Sequence, residues 1–223
     1  MIPPSSWEVY LVTDRAFSRG RSTLEIVRAA VRGGVSAVQL REKELSTRDF
    51  LEEGLTIRDF LRERGVPLII NDRIDIALAL DAEGVHVGQN DMPVGIARKL
   101  LGRSRIVGLS AERLDHLDRD AGACIDYFAV SPVFLTGTKT DISRPWGLDG
   151  LKNARAATDL PLVAIGSIKV DNAREVVRAG ADCVAVVTAI VSADDPEAAC
   201  RRLLEEVRAG KAERRASGTD LPG

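Results

Sequence analysis

The sequence alternates short β-branched runs with longer amphipathic segments from one end to the other. Eight such runs occur, and they begin about 25 residues apart on average. A strand of about 5 residues, a helix of about 11 and two loops of about 4 take roughly 24 residues, so each interval accommodates one βα unit. Eight consecutive units predict an α/β fold, a single-domain TIM (β/α)8 barrel. The runs begin near Glu8, Ser36, Pro67, Gly84, Arg105, Tyr127, Pro161 and Cys183.

A doubly wound parallel sheet is the alternative fold, but the glycine-rich nucleotide-binding motifs typical of it are missing from the sequence. A chain of 223 residues is long enough for one sizeable core. We assign residues 1–207 to the barrel. Residues 208–223 are rich in Arg, Gly, Ala and Ser without apolar periodicity, so we predict a disordered C-terminal tail there.

Composition excludes several classes of partner. The chain carries 31 Lys and Arg against 33 Asp and Glu, a net charge of −2, so broad attraction to nucleic acid is not expected. No apolar run approaches the roughly 18 residues of a membrane span, and the N-terminus has no secretory pattern. Three distant cysteines suggest neither a disulfide framework nor a zinc site. These features predict a cytoplasmic protein with small-molecule partners. A homo-oligomer is compatible with the sequence, which leaves the oligomeric state open.

Polar residues follow the second run, where a barrel would carry its active site. Gln39, Arg41 and Lys43 alternate in the segment QLREK, so a two-residue period places them on one face. Two cations and an amide at a barrel mouth favour an anionic ligand. The alternative is a solvated strand end whose cations pair with neighbouring strands.

Carboxylates follow the third and fourth runs. Asn71 and Asp72 end one run and Asp91 follows the next, so both acids reach the same rim. Oxygen ligands of this kind suit Mg²⁺, which commonly takes one or two carboxylates and completes its shell with water and phosphate oxygens. The alternative is that Asp72 and Asp91 cap the helices that follow them, and Asp75 is a further candidate ligand.

Further candidate phosphate contacts follow the last three runs. Hydroxyls and a lysine occur in the segment TGTK, and glycine, serine and threonine follow the seventh and eighth runs, where barrels often bind phosphate. Together with the rim, they predict a site for two phosphate-bearing groups and one divalent metal. These candidates are Thr136, Thr138, Lys139, Ser167, Val187 and Thr188.

Nucleophilic catalysis has little support. Ser110 lies in GLSAE, which departs from the G-x-S-x-G elbow at its last position, so we interpret Ser110 as a polar ligand contact. His86 alternates with Val85 and Val87 and is predicted to be a hydrogen-bonded histidine of the barrel interior.

The motifs, taken together and in order, resemble those of thiamine phosphate synthases. Seven of the eight units carry the resemblance, in the segments QLREK, NDRIDIA, GVHVGQND, GLSA, PVFLTGTK, VAIGS and VVTAI. It implies a TIM-barrel alkyl transferase of thiamine biosynthesis. Such an enzyme joins 4-amino-2-methyl-5-pyrimidinylmethyl diphosphate to a thiazole phosphate, gives thiamine phosphate and releases diphosphate.

The resemblance also implies roles for individual residues. Arg41, Lys43, Ser110 and Lys139 would act in catalysis. Pyrimidine diphosphate contacts would be Gln39, Arg41, Lys43, Asn71, Ser110 and Lys139. The Mg²⁺ ligands would be Asp72 and Asp91. Thiazole phosphate contacts would be Thr136, Thr138, Ser167, Val187 and Thr188, with Ser167 at a position where the family usually has glycine.

Three rival functions remain. The most distant is another phosphate-binding barrel, such as a sugar-phosphate epimerase or an indole-forming synthase, whose substrate would bind without Mg²⁺ and without the pyrimidine. A thiazole tautomerase on the same barrel has no need for the cations and aspartates together, so their joint presence speaks against it. A barrel that binds thiamine intermediates without catalysis would keep them and form no product.

Overall fold

The computed structural model describes residues 2–135 and 145–218. Eight parallel strands close into a barrel in chain order, each paired with its sequence neighbours and the first with the last. Every strand begins within one residue of the predicted run, so the TIM-barrel prediction is confirmed. The strands are β1 (Val9–Val12), β2 (Ala37–Leu40), β3 (Leu68–Asn71), β4 (Gly84–Val87), β5 (Ile106–Ala111), β6 (Tyr127–Val130), β7 (Leu162–Ile165) and β8 (Cys183–Val186).

Helices follow the strands around the outside of the barrel. Ser22 starts the first of them with a capping box, in which its hydroxyl accepts from the Glu25 amide and the Glu25 carboxylate accepts from the Ser22 amide. No helix within residues 2–135 and 145–218 is long and apolar enough to cross a membrane. The α-helices are α1 (Thr23–Arg32), α2 (Thr47–Arg62), α3 (Ile74–Ala79), α4 (Val94–Leu101), α5 (Arg119–Gly122), α6 (Gly147–Ala157), α7 (Val170–Arg178), α8 (Thr188–Val191) and α9 (Pro196–Ala216).

Strand side chains alternate between two apolar layers. Residues such as Leu11 and Val38 point outward and pack under the helices. The inward set holds large rings from β1 and β6 but only small side chains, such as Ala129 and Ala185, elsewhere on β6 and β8. This uneven filling leaves room for a cavity inside the barrel.

Aromatic rings close one end of the barrel interior. Trp7 lies 5.1 Å from the Tyr10 ring and 5.4 Å from the Tyr127 ring, centroid to centroid, and all three side chains are buried. Gly108 is required beside them, because a Cβ at that position would lie 2.1 Å from the Tyr127 ring. The polar groups of the two tyrosines therefore occupy a fixed position below the cavity.

The C-terminal tail prediction is wrong over most of its length. Helix α9 continues to Ala216, nine residues beyond the predicted boundary. Polar anchors hold this end: Lys211 Nζ donates to the Trp7 carbonyl at 3.0 Å, and Arg214 pairs with Asp182 at 3.1 Å. Gly210 lets the helix approach α7, since a Cβ there would lie 2.7 Å from the Arg174 carbonyl oxygen. The prediction took the missing apolar periodicity as a sign of disorder. Ion pairs and a close contact at Gly210 hold this end of the helix instead.

Candidate active site

A cavity of about 660 Å³ opens at the carboxyl ends of the strands. It brings together ten of the predicted site residues from six different strand ends, which agrees with the general position of active sites in this fold. Thr136, Thr138 and Lys139 lie outside the described residues. The ten are Gln39, Arg41, Lys43, Asn71, Asp72, Asp91, Ser110, Ser167, Val187 and Thr188.

The cations after β2 reach the cavity in the predicted way. Arg41 Nη1 donates to Asp14 Oδ2 at 2.7 Å, and the Arg41 amide donates to the Thr13 hydroxyl at 3.0 Å. The cross-strand ion pair that we considered as the alternative is therefore present, yet Arg41 still lines the cavity beside Lys43. Asp14 binds the Arg41 guanidinium at one nitrogen. The remaining N–H groups of the guanidinium can donate to an anion.

Glu42, between the two cations, has its side chain only 4% exposed. Arg15 Nε lies 3.6 Å from Glu42 Oε2, and Arg15 also donates to Glu53 at 2.9 Å. Burial raises the pKa of Glu42, and the neighbouring Glu53 charge raises it further. Among the described residues, Glu42 Oε1 is buried without a hydrogen-bond partner.

Asp72 and Asp91 meet at one side of the cavity. Burial and the neighbouring Asp91 carboxylate together raise the pKa of Asp72 to about 6, against the opposing effect of Lys43. Asn71 Nδ2 donates to Asp72 Oδ2 at 2.6 Å, and the Gly88 amide donates to Asp91 Oδ2 at 2.7 Å. Each carboxylate accepts one of these hydrogen bonds, but the two negative charges repel each other. A bound cation would offset this repulsion.

The helix-capping alternative is wrong for both aspartates. The N-cap of α3 is Arg73 and that of α4 is Pro93, and neither makes a side-chain capping bond. Asp75 instead pairs with Arg73 at 2.6 Å on the surface. Within the described part of the chain no cluster of three His, Cys, Asp or Glu side chains could hold a metal. A pair of carboxylates still fits Mg²⁺, which takes its remaining oxygens from water and substrate phosphate.

The opposite side of the cavity is built from the ends of β7 and β8. Gly166 has φ +115°, and a Cβ there would lie 2.6 Å from Pro132 Cβ, so only glycine fits. Ser167 has φ +52°, a left-handed backbone that is unfavourable for serine, and its hydroxyl donates to the Leu135 carbonyl at 2.5 Å. Thr188 begins α8 directly after Val187.

The bottom of the cavity carries a hydrogen-bonded row of side chains, which we call the floor chain: Gln39, Tyr10, Tyr127, His86 and Ser110. Gln39 Nε2 donates to the Tyr10 hydroxyl at 2.9 Å, and the two tyrosine hydroxyls are 3.2 Å apart. His86 Nδ1 lies 3.0 Å from the Tyr127 hydroxyl, and His86 Nε2 lies 2.9 Å from Ser110 Oγ. The prediction of a hydrogen-bonded interior histidine is confirmed.

Sequence reasoning missed Tyr10 and Tyr127. A signal was available, because the chain has only two tyrosines and each lies in a strand run at an inward position. A buried phenol needs a hydrogen-bond partner, so two of them inside one barrel indicate a polar network. Burial raises the pKa values of both phenols far above the ordinary range, and both stay neutral.

Comparisons with known proteins identify the family. A family model described as thiamine monophosphate synthase matches residues 9–190. A thiamine-phosphate synthase from Albidiferax ferrireducens is 54% identical over 90% of this chain and 92% of its own length. One from Chloroflexus aurantiacus is 52% identical over 88% of this chain and 91% of its own.

A solved structure supports the same assignment. The thiamine phosphate pyrophosphorylase from Pyrococcus furiosus superposes with a TM-score of 0.85 at 36% identity, covering 93% of this chain and 98% of that one. These matches make the chain an enzyme of the transferase class in thiamine biosynthesis. Its fold, its cavity and its relatives thus agree: the chain belongs to the thiamine monophosphate synthase family.

Proposed function

We propose that this chain joins 4-amino-2-methyl-5-pyrimidinylmethyl diphosphate to a thiazole phosphate with the help of Mg²⁺, in the cytoplasm, releasing diphosphate and thiamine phosphate. The observation that carries the proposal is the joint presence of cations and paired carboxylates in one cavity. Arg41, Lys43, Asp72 and Asp91 line the same cavity, and Lys43 is near enough to Asp72 to oppose the rise of its pKa. A diphosphate would compensate the positive charges of Arg41 and Lys43, and a divalent cation would compensate the negative charges of the two aspartates. An uncharged substrate would compensate neither set of charges.

Asp72 and Asp91 would hold the metal. The fit rests on their proximity, which raises the pKa of Asp72, and on the backbone and amide donors that hold both carboxylates in place. When bound, Mg²⁺ would supply positive charge to the diphosphate oxygens and so improve diphosphate as a leaving group.

The protein's own cations would act on the same leaving group. Arg41, held by Asp14, and Lys43 would stabilise the charge that develops on the diphosphate oxygen as its bond to the pyrimidine methylene carbon breaks. That oxygen keeps the bonding electron pair, and the amino-substituted ring stabilises the methylene cation. Lys139 would add a third positive charge.

The thiazole phosphate would occupy the other side of the cavity. Gly166, Ser167, Val187 and Thr188 offer backbone amides and a hydroxyl near the start of α8, and Thr136 and Thr138 would add further hydroxyls. With the phosphate held there, the thiazole nitrogen would direct its lone pair at the methylene carbon and form the new C–N bond. No protein nucleophile is needed, and positioning of the two rings supplies the rate gain.

A chromatographic assay for thiamine phosphate tests the proposal. Purified protein with both substrates should form product with Mg²⁺ and lose activity when a chelator replaces it. Absence of product from folded protein under both conditions would contradict the proposal and favour the tautomerase or the non-catalytic binder. Product that is unaffected by the chelator would contradict the role of the metal alone.

A further inference from the structure

The floor chain connects two polar groups that both line the cavity. Gln39 is its end on β2 and Ser110 its end on β5. Tyr127 is fully buried and connects the two halves, because its hydroxyl lies between the Tyr10 hydroxyl and the His86 ring. All of these side chains are buried, so each bond lies in a low-dielectric environment where an unmade hydrogen bond is costly.

The order of protons along the chain follows from its first bond. An amide nitrogen donates and cannot accept, so the Tyr10 oxygen accepts from Gln39 and the Tyr10 proton goes to Tyr127. With a neutral imidazole, the Tyr127 proton then goes to His86 Nδ1, and the ring proton is on Nε2, 2.9 Å from Ser110 Oγ across that bond. The Ser110 hydroxyl proton is left for the cavity, and so is the carbonyl oxygen of the Gln39 side chain.

We propose that the floor chain is a positioning relay that makes Gln39 an acceptor and Ser110 a donor toward the substrate ring. This inference rests on the proposed function and specifies how its pyrimidine is chosen. A ring that donates at one edge and accepts at another satisfies both ends, as an aminopyrimidine does with its exocyclic amine and a ring nitrogen. An oxo group in place of the amine would set two acceptors against each other at Gln39.

The relay differs from a simple pair of contacts because its ends are coupled. Turning the Gln39 amide would reverse the direction of every proton as far as Ser110, so one end cannot change its hydrogen-bonding character alone. Because both phenols stay neutral, the order is carried by hydroxyl orientation and not by ionisation. Tyr127 therefore acts through its neighbours as a positioning residue.

The test compares the amino substrate with its 4-oxo analogue. In wild-type protein the inhibition constant of the analogue should greatly exceed the KM of the substrate. Tyr127→Phe should lower that ratio by about tenfold, the effect of one buried hydrogen bond, mainly through a higher KM and with a smaller change in kcat. ¹⁵N NMR should show His86 in the Nε2–H tautomer in wild type, with Nδ1 accepting a hydrogen bond that is absent in Tyr127→Phe.

Two further variants separate proton order from packing. Tyr10→Phe breaks the chain at another bond and should also lower the ratio, which keeps the proposal testable if Tyr127→Phe fails to fold. Trp7→Phe disturbs the ring packed on both tyrosines but removes no bond of the chain, so the ratio should stay unchanged.

An unchanged ratio in Tyr127→Phe, or a wild-type His86 with its proton on Nδ1, would overturn the relay while leaving the proposed function intact. An equal decrease in Trp7→Phe would also overturn it, since packing alone would then explain the effect. If wild-type protein forms no product, the proposed function fails, and the assignment of an aminopyrimidine to the relay fails with it.

Discussion

The rim and the floor of the cavity handle charge in opposite ways. The rim, formed by Arg41, Lys43, Asp72 and Asp91, is partly exposed, and its two carboxylates repel each other in the absence of ligand. The floor chain is buried, its two phenols are neutral, and each of its members is hydrogen-bonded to a neighbour in the chain. A rim of this kind becomes more stable when its charges are compensated. The floor offers one acceptor and one donor at its ends, and a ring with the wrong hydrogen-bonding pattern would leave both unpaired. We therefore expect the rim to determine affinity and the floor to determine selectivity.

The largest effect is expected at the carboxylate pair. Asp72→Asn and Asp91→Asn should each weaken apparent Mg²⁺ affinity by roughly a hundredfold, about 2.8 kcal/mol, because each removes a charged oxygen ligand. Metal titrations of activity measure this directly. Without metal, thermal unfolding of Asp72→Asn should occur at an equal or higher temperature than wild type, because the repulsion from Asp91 is relieved.

Asp75→Asn is the matched control for this pair. Asp75 is three residues from Asp72 but exposed and paired with Arg73, so its replacement should leave the metal titration unchanged. If the Asp72 and Asp91 variants titrate like the control, the rim does not bind the metal and its charges serve another purpose.

Lys139 gives the next largest effect. Its replacement by alanine should lower turnover by at least about tenfold, roughly 1.4 kcal/mol, because in the proposed mechanism this cation stabilises the departing diphosphate. Turnover is measured with both substrates saturating, so that a loss of binding does not hide the result. Lys152, which pairs with Asp149 on the surface, supplies the control variant Lys152→Ala. Equal kinetics for the two variants would contradict the proposed role of Lys139.

Ionic strength should separate rim from floor without any mutation. Raising salt from about 0.05 M to about 0.5 M shortens the screening length to a few ångströms, so the KM of the diphosphate substrate should rise several-fold. Discrimination between the amino and oxo rings should stay constant, because buried neutral hydrogen bonds are not screened. A parallel change in both quantities would show that the rim also determines ring selectivity.

The sequence predicts the barrel and its rim well because both follow local rules. Strand periodicity and the spacing of the runs locate all eight strands, and an alternating segment such as QLREK shows which side chains share a face. The floor chain is harder, since its bonds join residues 29, 117, 41 and 24 positions apart. No local pattern indicates that a strand-one phenol meets a strand-six phenol.

The end of α9 is missed for a related reason. Its stability depends on contacts to β1 and α7, such as those of Lys211 with the Trp7 carbonyl and of Gly210 with the Arg174 carbonyl. These contacts leave no apolar stripe in the sequence. The local sequence of a helix that is held by ion pairs and close backbone contacts therefore resembles that of a disordered tail.

The smallest effect is expected at Ser167, where strain and a hydrogen bond oppose each other. The φ of +52° destabilises serine by about 1 kcal/mol, and glycine would not have this strain. The Ser167 hydroxyl donates to the Leu135 carbonyl, which directly precedes Thr136 in the sequence. Ser167→Ala removes the hydroxyl and keeps the strain, and Ser167→Gly removes both. Thermal unfolding should therefore place Ser167→Gly above Ser167→Ala by about 1 kcal/mol, with a thiazole phosphate KM for the glycine variant equal to or below that of wild type. A clear rise in KM in both variants would show that the Ser167 hydroxyl orders the phosphate side of the cavity through its hydrogen bond to Leu135. That side would then depend on a specific hydrogen bond, as the floor does.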